Sequence, residues 1–146
     1  MYQFLDSPVT SLGKGGQLTV WAARTWILAM GERRCPASAT APGFAANSAL
    51  SALQPFLQVM NLLNRHGLET FQFCALACNH ISEHEAIILS LLDDVTGAAG
   101  DGARATLDLL VEAEACDAIE AAFGQWAAAF RRAGHTIAAP ILTRPV

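Results

Sequence analysis

Ser82-Glu83-His84-Glu85-Ala86-Ile87-Ile88-Leu89-Ser90-Leu91-Leu92-Asp93-Asp94-Val95 is the most telling stretch of this chain. A serine with a glutamate three residues later has the spacing of a capping box, in which each side chain accepts from a backbone N–H at the other residue. Ile87, Ile88, Leu91, Leu92 and Val95 then recur at helical spacing, so the stretch predicts an amphipathic helix.

Downstream, Gly97, Gly100 and Gly102 mark a turn, and Asp101 is placed to cap a helix carrying Ala103, Leu107, Leu110 and Val111. No breaker precedes the next apolar row of Cys116, Ile119, Phe123, Trp126 and Phe130, which Gly134 closes. Residues 101–134 therefore read as one long helix or as two with a kink in the charged stretch 112–117.

Upstream, Leu53, Phe56, Leu57, Met60 and Leu63 form one stripe of a helix over 51–66. Pro55 must lie in its first turn, because deeper inside it would remove a hydrogen bond. An earlier helix is expected from about Thr19 to Met30 or Glu32, with Ala23, Trp26, Ile27 and Met30 on one face. Trp21 is the hardest tryptophan to place inside. Residues 35–42 read as a breaker-rich connection, followed by a short helix over 43–50. Within 68–73, Phe71 and Phe73 alternate with Thr70 and Gln72, which predicts a short extended segment. One strand cannot make a sheet alone. The expectation is an all-α chain: a single helical domain over 1–146, a compact bundle of five or six helices, with irregular or extended termini at 1–16 and 137–146.

Composition narrows the function classes. Apolar residues make up 53% and charged residues 15%, against about 25% charged in an average chain. Sparse charge predicts a homo-oligomer or a protein partner; close packing through alanine is the alternative. Net charge is −4, and the nine Lys and Arg are scattered rather than striped, so no nucleic-acid partner is expected. A helix-turn-helix over 41–66 lacks a basic recognition face. No apolar run approaches the ~20 residues that span a bilayer, and the first ten residues lack the pattern of a signal peptide. Those two features lead to an expectation of a cytoplasmic protein without a membrane partner.

Chemistry is hinted at in one cluster, Cys74-Ala-Leu-Ala-Cys78-Asn-His80-Ile-Ser-Glu-His84. Thiolate and imidazole are zinc ligands, and four of them would make a closed structural site. The spacing C-x3-C-x-H-x3-H departs from the usual zinc knuckle, and Cys78 and His80 face one centre only if the chain turns between them. The bland reading is that the cysteines pack as small hydrophobes; redox or catalytic use is a third. Glu85 is explained by the capping box, Cys116 by its apolar stripe and His66 by the helix dipole, while His135 reads as exposed. No phosphate loop, zincin motif or nucleophile elbow appears, so no catalytic residue is assigned and an enzyme is not expected. The leading expectation is a small non-enzymatic helical protein acting through protein–protein or self-association. The alternative is a zinc-binding protein with metal ligands Cys74, Cys78, His80 and His84.

Overall fold

The computed structural model describes residues 4–96 and 100–138. It is an all-α bundle of six helices without a sheet among the described residues. The helices are α1 (Lys14–Gly31), α2 (Pro36–Ala46), α3 (Leu53–His66), α4 (Glu83–Thr96), α5 (Gly100–Leu110) and α6 (Cys116–Arg132), with 3-10 turns at Val9–Ser11, Leu50–Ala52 and Ala113–Ala115. The side chains of Val95 and Asp101, Gly97, and the tail beyond residue 138 lie outside the described residues.

The capped stretch forms α4, but it is not amphipathic as expected. Every residue from Glu85 to Leu92 is buried. A helix apolar on all sides belongs at the centre of a bundle, and α4 packs against α1, α5 and α6. Its capping box forms as predicted. The Ser82 N–H donates to Glu85 Oε1 at 2.9 Å, and the Glu85 N–H donates to Ser82 Oγ at 3.4 Å.

A second core layer joins α2, α3 and α6 through aromatic rings. Phe44 and Phe56 have centroids 5.2 Å apart, Phe56 meets Trp126 edge-on at 5.3 Å, and Phe123 stacks on Trp126 at 5.7 Å. The predicted stripes of α3 and α6 thus point inward, and Pro55 lies in the first turn of α3.

Several boundaries move for physical reasons. Helix α1 starts at Lys14 rather than Thr19, so Gly15 and Gly16 are helical and buried. A Cβ on Gly16 would overlap the Ile137 carbonyl, so glycine there lets the helix start abut the segment after α6. The inner face of α1 is Leu18, Ala22, Trp26 and Ala29, while Ile27 and Met30, expected inside, are 37% and 44% exposed. The expected connection 35–42 is mostly α2. Pro36 occupies its first turn, Pro42 lies inside the helix, and Thr40 Oγ1 donates to the Pro36 carbonyl at 2.7 Å. Trp21 is half-buried over α2, where Gly43 leaves room for its ring.

Helices α1, α2 and α6 end alike. Arg33, Ser48 and Gly134 take left-handed φ of 57°, 55° and 78°. The next N–H reaches back to Ala29, Phe44 and Phe130 at 2.8, 2.8 and 2.9 Å. That is a Schellman closure. Glycine signals it in α6, as expected, but not in α1 or α2. His135 follows the third closure and is half-buried, its Nε2 2.6 Å from the Asn47 carbonyl oxygen, rather than exposed as expected.

Residues 101–134 hold two helices. The break lies where Leu68 N–H donates to the Leu110 carbonyl at 2.8 Å and Glu112 N–H donates to the His66 carbonyl at 3.0 Å. These bonds make an isolated antiparallel bridge between Gly67 and Val111. The segment 68–73, the arm, forms no strand: residues 68 and 69 bend away from the Gly67 bridge and 70–73 carry no regular secondary structure. The N-terminal segment is likewise tied down, with Asp6 N–H donating to the Ile81 carbonyl at 3.0 Å and Ile81 N–H to the Ser7 carbonyl at 3.1 Å.

Candidate functional site

Among the described residues, the predicted cysteine–histidine stretch and a His/Glu/Glu triad hold potential metal ligands. The first is the predicted stretch 74–84, and its organiser is a residue that sequence reasoning passed over. Arg24 sits mid-helix in α1, and Glu85 opens the buried run of α4. Their side chains are 2% and 1% exposed, and Arg24 Nε donates to Glu85 Oε2 at 2.6 Å. Arg24 Nη2 reaches Glu85 Oε1 at 3.0 Å, making the pair bidentate. Such planar pairing is what guanidinium offers and ammonium does not.

Both partners have donors and acceptors left over, and the loop takes them. Arg24 Nη1 donates to the Cys78 carbonyl at 2.6 Å and Nη2 to the His80 carbonyl at 2.8 Å. Glu85 Oε2 accepts the Cys74 N–H at 3.2 Å, beside the Ser82 contact of the capping box. The loop from Cys74 to Ser82 is therefore folded around one ion pair. Burial pushes the Glu85 carboxyl up, but the Arg24 bonds, the Ser82 and Cys74 N–H donors and the Arg24 charge outweigh it and leave it below the usual carboxylate value. Arg24 is held above its ordinary value, chiefly by its bond to Glu85.

The four predicted ligands occupy distinct places on this loop. Cys74 and Cys78 flank a turn that the Cys78 N–H closes on the Ala75 carbonyl at 3.0 Å, and the Cys78 thiol donates to the His80 carbonyl at 3.7 Å. His80 is exposed and offers its carbonyl to Arg24. His84 turns towards the arm. Its Nδ1 accepts the Gln72 N–H at 2.7 Å, which places the proton on Nε2, 3.1 Å from Glu69 Oε1. Phe71 packs edge-on against the ring at 5.0 Å. The structure thus sets the two cysteines on one turn and engages both nitrogens of His84 elsewhere.

The second cluster is a His/Glu/Glu triad. His66 ends α3, and Glu112 and Glu114 follow α5. His66 Nδ1 lies 3.7 Å from Glu112 Oε1 and 3.7 Å from Glu114 Oε1. All three ligand atoms fall within 4.8 Å of one another, which suits a metal ion. The Gly67–Val111 bridge holds the two segments together beside the triad. In the sequence His66 reads as a helix-dipole residue and Glu112 as part of a charged kink. Nothing local links them, since only the tertiary bridge makes them neighbours. Arg24 had a signal: it is the one charge between Lys14 and Glu32.

The ion pair makes two predictions. Arg24→Met leaves a buried carboxylate unpaired and should cost about 3–5 kcal/mol in urea unfolding. The double variant Arg24→Met/Glu85→Leu should stay well below wild type, because the loop groups lose partners at about 1–3 kcal/mol each. A double variant of wild-type stability would show that the pair does not organise the loop. In acid, the folded-state pKa of Glu85 lies below its unfolded value of about 4.3. Its stabilisation is complete above that value and fades as pH falls through the folded-state pKa. The stability gap between wild type and Glu85→Gln should therefore narrow below about pH 4, and a gap independent of pH there would contradict the assignment.

A scan of protein-family models, a search of curated proteins and a search of solved structures each find nothing that matches this chain.

Proposed function

We propose that this is a non-enzymatic, metal-binding helical protein in which zinc joins the end of α3 to the α5–α6 junction through His66, Glu112 and Glu114. The carrying observation is the 3.7 Å spacing of the imidazole nitrogen from two carboxylates. Zinc bonds of about 2.0–2.2 Å place neighbouring tetrahedral ligands about 3.3–3.5 Å apart, so the triad needs only small side-chain rotations. One imidazole and two carboxylates form a borderline-to-hard set that suits zinc and leaves a fourth position for water or a partner's ligand. Glu112 and Glu114 are 48% and 70% exposed on their side chains, so the site excludes little water, which favours a brace over a reaction centre.

A second reading is association with a protein partner or a second copy. It is favoured by a half-open groove of about 550 Å³ between α1 and the α3–arm corner, floored by Trp26, Met60 and Leu63 and walled by Phe71 and Phe73. Ile27 and Leu68 on its rim are 37% and 59% exposed. An exposed apolar rim of this kind marks interaction sites on soluble chains. No helix among the described residues is long and apolar enough to cross a membrane.

Zinc at 100-fold above its Kd should add about 2.7 kcal/mol, which is roughly 5–10 °C in Tm for a chain of this size. The shift should saturate at one ion per chain and vanish in His66→Ala, while Cys74→Ser/Cys78→Ser keeps it. Loss of the shift in the cysteine variant, with His66→Ala unaffected, would return the site to residues 74–84. For the second reading, light scattering should give a multiple of the 15.5 kDa chain mass that falls to the chain mass in Ile27→Glu/Leu68→Glu. A wild-type particle of chain mass at high concentration would remove self-association.

A further inference from the structure

The loop built around Arg24 and Glu85 leaves its two cysteines with no role in the metal triad or the groove floor. Cys74 and Cys78 are held at both ends. The Cys74 N–H is bound to Glu85 at 3.2 Å, the Cys78 carbonyl to Arg24 at 2.6 Å, and the turn between them is closed by the 3.0 Å bond from Cys78 to Ala75. Each end of the turn is thus fixed by a partner that is itself buried. Both cysteines are partly exposed, and all four cysteines of the chain are free thiols. The other two are placed differently: Cys35 is exposed before α2, and Cys116 is buried at the start of α6 with its thiol 3.4 Å from Asp108. Among the described residues no third ligand joins the pair to make a metal site, because His84 is committed to Gln72 and Glu69.

We propose that Cys74 and Cys78 form a reversible dithiol–disulfide site that reacts with small-molecule disulfides of the glutathione class. The Cys78 thiolate attacks one sulfur of the small disulfide, the S–S bond breaks, and one small thiol leaves. Cys74 then loses its proton to solvent and attacks the Cys78 sulfur. The Cys74–Cys78 bond forms as the second small thiol departs. Two thiols of the protein are oxidised, and the small disulfide takes up two electrons and two protons to become two thiols.

The order of attack comes from the surroundings. Cys74 lies against the buried Glu85 carboxylate, which accepts its N–H at 3.2 Å; burial and that negative charge push the Cys74 thiol up, with Arg24 opposing them. Cys74 therefore carries less thiolate than an ordinary cysteine, and thiolate is the attacking species. It serves better as the resolving group, whose reaction is intramolecular and driven by high effective concentration. The Arg24–Glu85 clamp supplies that concentration by keeping the two residues on one folded turn. Phe73, next to Cys74, lines the groove, so oxidation would fix the loop directly after a groove wall.

The test is equilibration of the folded chain with oxidised and reduced glutathione, acid quenching, and mass spectrometry of the whole protein and its peptides. The expected product has lost two hydrogens, carries a bond mapped to Cys74–Cys78, and reverts fully with a dithiol reductant. Cys74→Ser should trap Cys78 as a glutathionyl adduct, because the resolving thiol is gone. Cys78→Ser should accumulate less adduct at Cys74 over the same time. Glu85→Gln, which loosens the Cys74 anchor, should raise the ratio of mixed to internal disulfide several-fold; circular dichroism on the same sample checks that the helices remain. A wild-type chain that yields only mixed disulfides, pairs Cys35 or Cys116 instead, or does not react would overturn the proposal.

Discussion

The buried pairing of Arg24 with Glu85 governs how the bundle is put together. A helix buried on every side, as α4 is from Glu85 to Leu92, cannot carry a carboxylate in that run unless its charge is neutralised in place. Arg24 does this from α1, and the two charges meet in bidentate geometry with side chains almost wholly removed from water. Their remaining hydrogen-bonding capacity then fixes the loop before α4. One ion pair ties α1 to α4 and holds the loop of residues 74–82 through its remaining hydrogen bonds. Pairing alone would be a weak source of stability, because desolvation offsets much of the attraction. Its value here is specificity, since four backbone groups of the loop have their partners only when both side chains are present.

The two clusters differ in how they are held. The thiol pair lies on a loop organised by a buried charge pair. The His66 triad lies at a seam where two chain segments exchange backbone bonds at the Gly67–Val111 bridge. A metal there would reinforce a contact that backbone pairing already makes, which is the arrangement expected of a brace. The groove joins them geometrically, because its lining runs from Gly67, next to His66, to Phe73, next to Cys74. Both ends of the arm that walls the groove are thus positions where chemistry could stiffen it.

Helix ends show how local signals are overridden. A glycine at the end of α6 announces its left-handed closure, and the fold uses it. Arg33 and Ser48 adopt the same backbone geometry without glycine, at a cost of about 1–2 kcal/mol each. At Ser48 the closure survives because the next residue is anchored: Ala49 is fully buried. Prolines misled in the other direction. Pro36 and Pro42 suggested a connection, yet Pro36 sits in a first turn where no N–H is needed, and α2 is held against α1 by tertiary packing.

Helical class, the capping box before α4, and the buried rows of α3 and α6 were legible in the residues alone, because helical periodicity and cap spacing are properties of chain neighbours. Cys74 and Cys78 stood out for the same reason, since both lie on one short loop. Folding in three dimensions was needed to make α4 central, to bring Arg24 to it as counter-ion, to part α5 from α6 at residue 111, and to set His66 beside Glu112 and Glu114. Each of those depends on groups distant in the chain meeting where water is excluded or backbone bonds are exchanged, and local periodicity carries no information about such meetings.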